Sequence, residues 1–312
     1  MSRLPDDSGR RGFIAGATAA ALSLTRARRL AAAETAATTA LPLITRPIPS
    51  SGERLPAIGI GTDSFRESAR EEIRAELGRM SELGGTVIDT AAAYGDSEAL
   101  IGAALASLGT RPRMFLATKL VASGGAESFA RSLERLKTDH VDLLQVHNLN
   151  GVATLLPTLQ QWKKENKNRI RYIGVTTSRV SQHADMIATM RAYPLDFIQV
   201  DYSIANRDSA GTVLPLAIER KIAVLVNLPF GRSSLFREAA GRPLPPWAAD
   251  IDVSSWAQYF LKYVISHPAV TCAIPGSTQV NHLIDNQAAG RGRLPDEAMR
   301  RRMEAYWDNK SA

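Results

Sequence analysis

Eight short apolar runs recur along this chain, each bounded by Gly, Pro or polar punctuation and followed by a longer stretch of helical periodicity. In order they are AIGIGT (57–62), TVIDTA (86–91), MFLATK (114–119), VDLLQVH (141–147), RYIGVTT (171–177), FIQVDYS (197–203), AVLVNLP (223–229) and VTCAIPG (270–276). Runs without strict apolar–polar alternation suit strands buried on both faces, the mark of a parallel sheet. Parallel neighbours need crossovers, and helical patterns fill gaps at 70–83, 97–108, 126–136, 155–166, 210–221 and 254–267. Eight such units predict an α/β fold, a closed (β/α)8 TIM barrel. An open doubly wound sheet competes, but GIGT lacks the third glycine of a dinucleotide phosphate loop. Before the first barrel strand, LITRPIPSSGERLPAIG predicts a hairpin turning at Ser51-Gly52 and plugging the barrel bottom. After the last strand, LPDEAMRRRMEAYWDN predicts an extra C-terminal helix.

The first 33 residues follow another pattern. From Gly12 to Leu24 the side chains are apolar or small, a run too short and mild to span a bilayer, which needs about 20 apolar residues. GFIAGATAAALSL shows no polar face at helical spacing, which argues against an amphipathic helix. A basic start, a moderate apolar run and the small-residue site Ala31-Ala32-Ala33 form a secretory signal. Arg10-Arg11 followed by Gly12, Phe13 and Ile14 resembles a bacterial twin-arginine signal, and Arg26, Arg28 and Arg29 suit that route. The expected organisation is therefore a twin-arginine (Tat) signal peptide at 1–33, a flexible lead-in at 34–43 and the barrel at 44–312. The expected location is the periplasm, reached through the Tat export machinery, with no membrane span in the mature form.

Charge and cysteine usage exclude further classes. The chain carries 38 Lys and Arg against 31 Asp and Glu, a net +7. Residues 1–33 hold six of the arginines and two of the acids, leaving only +3 for the rest. No basic stripe interleaved with aromatics remains, so nucleic-acid binding has no support. The single cysteine, Cys272, rules out an intrachain disulfide and a Cys-rich metal site. The five histidines show no chelating spacing, so no metal is expected.

In a (β/α)8 barrel the reactive residues sit at the C-terminal strand ends. Those ends present Asp89, Lys119 and His147 on the second, third and fourth strands, with Tyr94 on the loop after the second. Thr176 and Thr177 end the fifth, Gln199 lies on the sixth and Asn227 on the seventh. A polar residue inside an apolar strand costs stability unless satisfied, so three consecutive charged or titratable strand ends suggest a working set. A free tyrosine titrates near 10, and a neighbouring ammonium lowers that value. A buried Asp89 would keep Lys119 charged, and His147 could share a substrate oxygen with Tyr94. The set is a proton donor poised at a carbonyl or hydroxyl. No second carboxylate flanks it as glycoside hydrolysis requires. The segment from Pro229 to Asp252 is the longest structureless stretch, either a lid or a surface excursion packed by its own aromatics. Phe65 and Tyr202 are candidates to line the pocket, whereas Glu98, Trp162, Trp256 and Cys272 suit packing.

VIDTAAAYGDSE, ATK, DLLQVH, IGV and IPGSTQVNHLIDN, in that order and one per barrel position, together resemble the aldo-keto reductase family over about residues 44–290. The D-x4-Y-G motif followed by Lys and His is specific in combination. The resemblance implies a tetrad of Asp89, Tyr94, Lys119 and His147, with hydride passing from NADPH to a carbonyl carbon while Tyr94 protonates the oxygen. NADP is the implied cofactor and NAD the alternative. The same resemblance places the cofactor against Thr176, Thr177, Gln199 and Asn227, then Pro229, Gly231 and Arg232. Its far end falls on Pro275, Gly276, Ser277, Thr278, Gln279, His282 and Asn286. Here Thr176 and Thr177 replace a Ser/Asn pair, and Asn227 stands where a stacking aromatic is usual. Ser277, Thr278 and Gln279 offer donors at a helix start, where anions bind readily. Asn286 matches an adenine contact, while His282 and Gly276 stand where Arg and Lys can meet a 2′-phosphate.

The leading expectation is an NAD(P)H-dependent oxidoreductase acting on a small-molecule carbonyl or the matching alcohol. Two alternatives stay open. One is an exported barrel enzyme using the same tetrad for isomerase, epimerase or lyase chemistry, with nicotinamide tightly bound or absent. The other is a non-catalytic binding barrel, against which the pairing of Asp89 with Lys119 speaks.

Overall fold

The computed structural model describes residues 41–165 and 169–309. The expected signal peptide and all but the last three residues of the expected lead-in lie outside the described residues. A two-stranded antiparallel hairpin comes first, β1 (Thr45–Pro47) and β2 (Arg54–Pro56). Eight parallel strands follow: β3 (Ile60–Gly61), β4 (Val87–Asp89), β5 (Phe115–Leu120), β6 (Val141–Val146), β7 (Ile170–Thr176), β8 (Phe197–Asp201), β9 (Ala223–Asn227) and β10 (Val270–Ala273). They pair in sequence order. Parallel bridges Ile58–Ala273 and Gly61–Gly276 close β3 onto β10. The barrel expected from the sequence is thus present, with each strand inside its expected run except β5 and β7, which extend one residue beyond theirs, to Leu120 and from Ile170.

Helices between the strands are α1 (Arg70–Glu82), α2 (Ser97–Leu108), α3 (Gly125–Arg135), α4 (Val152–Glu165), α5 (His183–Ala192), α6 (Asp208–Gly211), α7 (Val213–Glu219), α8 (Ser234–Ala239) and α9 (Trp256–Ile265). Two more follow β10, α10 (Val280–Ala289) and the extra C-terminal α11 (Glu297–Asp308). Side-chain caps start α9 and α11: Ser255 accepts from the Gln258 amide and Asp296 from the Met299 amide. The helix expected at 210–221 is split at Thr212, because Pro215 has no N–H to donate to the Gly211 carbonyl. Two helices are additions to the expected set, α5 and the short α8 inside the 229–252 segment.

Side chains alternate between two apolar regions. Ile88, Leu116, Leu144, Ile173, Ile198 and Val224 point outward into the core shared with the helices. Val87, Phe115, Leu143, Tyr172, Phe197 and Leu225 fill the barrel interior. Phe115, Tyr172 and Phe197 form an aromatic floor, with ring centroids 5.5–5.9 Å apart. The hairpin seals it from below. Ile48 and Leu55 belong to the interior cluster, and the Tyr172 hydroxyl lies 2.7 Å from both Ser51 Oγ and Glu53 Oε2. Two glycines let the chain at β3 sit close against its neighbours, Gly59 against β4 and Gly61 against the chain after β10. A Cβ on Gly59 would meet the Val87 carbonyl at 2.7 Å, and one on Gly61 the Ile274 carbonyl at 2.8 Å. Above the aromatic floor, the interior turns polar at the C-terminal end, with Asp89, Lys119, Gln145 and Gln199 all buried.

Candidate active site

Parallel register brings the polar strand ends together. Gly61 pairs with Asp89 and Lys119 with Gln145. The Lys119 ammonium donates to Asp89 Oδ2 at 2.6 Å, to the Thr90 carbonyl at 2.9 Å and to the Tyr94 hydroxyl at 3.2 Å. Gln145 Nε2 donates to the other Asp89 oxygen at 3.3 Å. Asp89 is therefore held on both sides, and Lys119 is 1% exposed with every observed partner on the cluster. The His147 ring meets Tyr94 edge-on, centroids 5.8 Å apart.

Tyr94 reaches this cluster because its loop is tied down. Thr62 Oγ1 donates to the Asp89 carbonyl, Ser97 Oγ donates to Thr62 Oγ1, and Thr90 Oγ1 lies 2.9 Å from Ser97 Oγ. Gly95, at φ +60°, turns the chain immediately after the tyrosine. Glu98 is not part of the chemistry. It accepts from Thr118 and pairs with Arg135, fixing α2 to α3 as a packing residue.

The electrostatics correct one expectation. Burial raises the Tyr94 phenol, and the neighbouring Lys119 charge pulls it back only in part, with Asp89 and Asp63 adding to the rise. Tyr94 is consequently a neutral phenol, a proton donor, across ordinary pH. Burial acts to lower Lys119, but the Asp89 charge and the contacts with Tyr94 outweigh it and leave it raised. His147 is lowered to about 4 by burial and by Lys119, so its imidazole is neutral.

On the far strands, the Thr176 hydroxyl accepts from the Asn148 amide and the Thr177 hydroxyl donates to Gln182 Oε1. Both threonines are committed to holding the loop after His147, where Asn148 and Leu149 adopt left-handed backbone. Asn227 Nδ2 donates to the Thr177 carbonyl at 2.8 Å. Two buried polar atoms nearby have no hydrogen-bond partner, Gln199 Nε2 and Asn227 Oδ1. After β9, Leu228, Gly231, Arg232 and Ser233 are all left-handed. Such a run of amides makes a concave donor surface. Among the described residues no acceptor takes the amides of Arg232 and Ser233.

A cavity of about 690 Å3 joins these parts. It is lined by Asp89, Tyr94 and His147, by Asn227, Pro229, Phe230 and Arg232, and by Gly276, Ser277, Thr278 and His282, with Asp63 beside Gly276. Lys119, Thr176, Thr177, Gln199, Pro275 and Asn286 are buried behind this wall, and Gly231 and Gln279 lie outside the lining. Phe65 and Tyr202 do not line the cavity as expected. Both are fully buried in the outer core, and Tyr202 receives a hydrogen bond from Arg300. The 229–252 segment lines the cavity at its start, while Trp247 packs against Tyr259 and Tyr306. Cys272 is buried in the barrel interior, with its thiol pushed up by burial. Among the described residues no His, Cys, Asp and Glu group could hold a metal, and no helix is long and apolar enough to cross a membrane.

Comparison with known families finds a match to the Aldo/keto reductase family over residues 57–306. The chain belongs to this family. Curated relatives of this aldo/keto reductase include aldo-keto reductase YhdN of Bacillus subtilis, 34% identical over 53% of this chain and 52% of the relative. Methylglyoxal reductase YeaE of Escherichia coli is 30% identical over 75% of this chain and 85% of its own. A Klebsiella pneumoniae aldo-keto reductase solved in complex with NADPH shares the fold, with a TM-score of 0.71, 24% identity, and 85% and 96% of the two chains covered. The holo form of a Bacillus halodurans aldo-keto reductase gives a TM-score of 0.70 at 22% identity, with the same coverage. The family makes this chain an oxidoreductase. Sequence reasoning missed Gln145, Thr62 and Ser97 as supports of the aldo/keto reductase site. Alternation along VDLLQVH, which turns Leu143, Gln145 and His147 to one face, is the signal that could have found the first.

Proposed function

We propose that this aldo/keto reductase is a nicotinamide-dependent enzyme that reduces a small aldehyde or ketone, or oxidises the matching alcohol, with Tyr94 as proton donor. The observation carrying this reading is the Lys119 ammonium, buried between the Asp89 carboxylate and the Tyr94 hydroxyl at the cavity floor. Tyr94 holds a proton at its Oη, and Lys119 stabilises the phenolate left when that proton moves to a substrate oxygen. Asp89 balances the ammonium charge, and Gln145 keeps Asp89 in place. Neutral His147 can donate a hydrogen bond to the same substrate oxygen and so orient the carbonyl over the tyrosine.

The residues present fit a nicotinamide dinucleotide. A carboxamide carries one acceptor oxygen and one donor nitrogen, the complement of the unpartnered Gln199 Nε2 and Asn227 Oδ1. The free amides of Arg232 and Ser233, beside the Arg232 guanidinium, suit a pyrophosphate. Bound there, the reduced nicotinamide would supply the hydride. These unsatisfied donors and acceptors support the reductase over a binding barrel or a cofactor-free proton-transfer enzyme. The name of the E. coli relative supports an α-oxoaldehyde such as methylglyoxal as the first substrate to try. We also propose that residues 1–33 direct export through the twin-arginine route, on the strength of Arg10-Arg11 and the mild apolar run after them.

The test is Tyr94→Phe, assayed with methylglyoxal and a panel of small aldehydes beside dinucleotide binding by fluorescence. Turnover is expected to fall by at least about 100-fold, the usual worth of a positioned acid, with dinucleotide affinity nearly unchanged. Activity surviving the change would remove Tyr94 from its role.

A further inference from the structure

We propose that this enzyme prefers the non-phosphorylated dinucleotide, NAD(H), and that Glu72 and Glu76 of α1 set the preference. The inference rests on the nicotinamide-dependent reading and specifies which nicotinamide. The cavity has two ends, one at Tyr94 and one at Gly276–Thr278 and His282. The reacting ring must lie against Tyr94, which leaves the adenosine half at the start of α10. A ribose 2′-phosphate placed there needs the positive end of the helix, free amides and cations.

This chain has filled that place with its own carboxylates. Glu72 Oε1 accepts from the Val280 amide, the first residue of α10, at 3.1 Å. Glu76 Oε1 accepts from Ser277 Oγ at 2.6 Å, and Ser277 Oγ in turn accepts from the Gln279 amide at 3.2 Å. Glu76 is fully buried, and its Oε2 has no hydrogen-bond partner. The close packing of α1 on α10 fixes both acids where they are. Cations are scarce: among the described residues lining the cavity, Arg232 is the one Lys or Arg, and Gly276 contributes no side chain. A phosphate dianion at this helix start would thus find the Val280 amide and the Ser277 hydroxyl already taken and the Glu72 charge beside them, with little to offset it. A ribose with free hydroxyls meets no such repulsion, and carboxylates are the groups that receive its 2′-hydroxyl in other dinucleotide sites. The donor set fits the diol and does not fit the 2′-phosphate.

Fluorescence titration of the full chain with NADH and with NADPH tests this, with 5′-AMP and 2′,5′-ADP as competitors that lack the nicotinamide. NADH is expected to bind at least about tenfold tighter than NADPH, and 5′-AMP to compete better than 2′,5′-ADP. Glu72→Gln alone, and Glu72→Gln with Glu76→Gln, should each narrow the NADH:NADPH ratio in favour of the phosphorylated form. The exposed Glu72 keeps the test usable if the double variant folds poorly. NADPH binding as tightly as NADH to the parent chain would overturn the proposal. A ratio unmoved by Glu72→Gln would remove that residue from it. Failure of both nucleotides to bind would overturn the nicotinamide reading itself.

Discussion

Three titrating residues set the molecule's pH behaviour, His147 and Tyr94 for turnover and Glu76 for stability. Above about pH 4 His147 is already neutral, and Tyr94 stays protonated beyond the ordinary range of a phenol. Carbonyl reduction at saturating cofactor should accordingly hold a constant kcat from about pH 5.5 to 9 and fall only as Tyr94 ionises. An acidic limb near pH 6–7 in kcat would contradict the neutral His147. Glu76 instead governs stability. Its carboxyl is raised from 4.5 to about 7, chiefly by burial, so the folded state holds its proton more tightly than the unfolded one. That stability is complete below about pH 4.5 and lost as pH rises through about 7. Glu76→Gln keeps an acceptor for Ser277 and removes the charge. It should gain on the order of 2 kcal/mol, or about 5 °C in Tm, at pH 8 and almost nothing at pH 5; an equal gain at both would refute the burial argument. Asp89, Lys119 and His147 were readable because each ends an apolar run, where a polar residue stands out. Glu76 was not. It sits in an ordinary amphipathic helix, and only the packing of α1 on α10 buries it.

Among the elements, the hairpin and the catalytic strand ends lie at opposite ends of the barrel. Ile48 and Leu55 close the apolar floor, a position from which they touch none of the reacting groups. Ile48→Ala should cost about 3 kcal/mol by leaving a void under Phe115, Tyr172 and Phe197. Chemical denaturation would register that loss while kcat of the folded fraction stays within about twofold. A kcat loss matching the stability loss would mean the two ends are coupled. Strands and most helices could be read from periodicity and punctuation. The helix α5 escaped because its buried side, His183, Met186, Thr189 and Met190, mixes polar with apolar residues. The left-handed residues Leu228 and Gly231 to Ser233 escaped for another reason: of the four, only Gly231 is a residue type that favours that backbone. Thr176 and Thr177 could be placed from sequence, yet their work of holding the His147 loop needed contacts across three strands to be seen.

For the whole molecule, the described barrel and the expected signal raise a question of order: folding before or after export. The twin-arginine route moves folded proteins, so the proposed export would let the proposed nucleotide bind before the chain leaves the cytoplasm. Changing Arg10 and Arg11 to Lys should shift the protein from the periplasmic to the cytoplasmic fraction. Periplasmic recovery unchanged by that substitution would argue for another route. The seam of the barrel adds a reason for loading to come first. Strand β3 is two residues long. It joins β10 through the Gly59 amide on the Ala273 carbonyl, the Gly61 amide on Pro275 and the Ala273 amide on Ala57. Gly61, Ile274 and Gly276 of this seam also line the nucleotide cavity. The hoop's buckle therefore lies beneath the proposed cofactor, and a dinucleotide spanning it would fasten the ring as well as serve the reaction. Slower hydrogen exchange at Gly59, Gly61 and Ala273 on nucleotide binding would record that fastening. Under the proposed export, such a barrel would be most robust if it crossed the membrane with the proposed cofactor aboard.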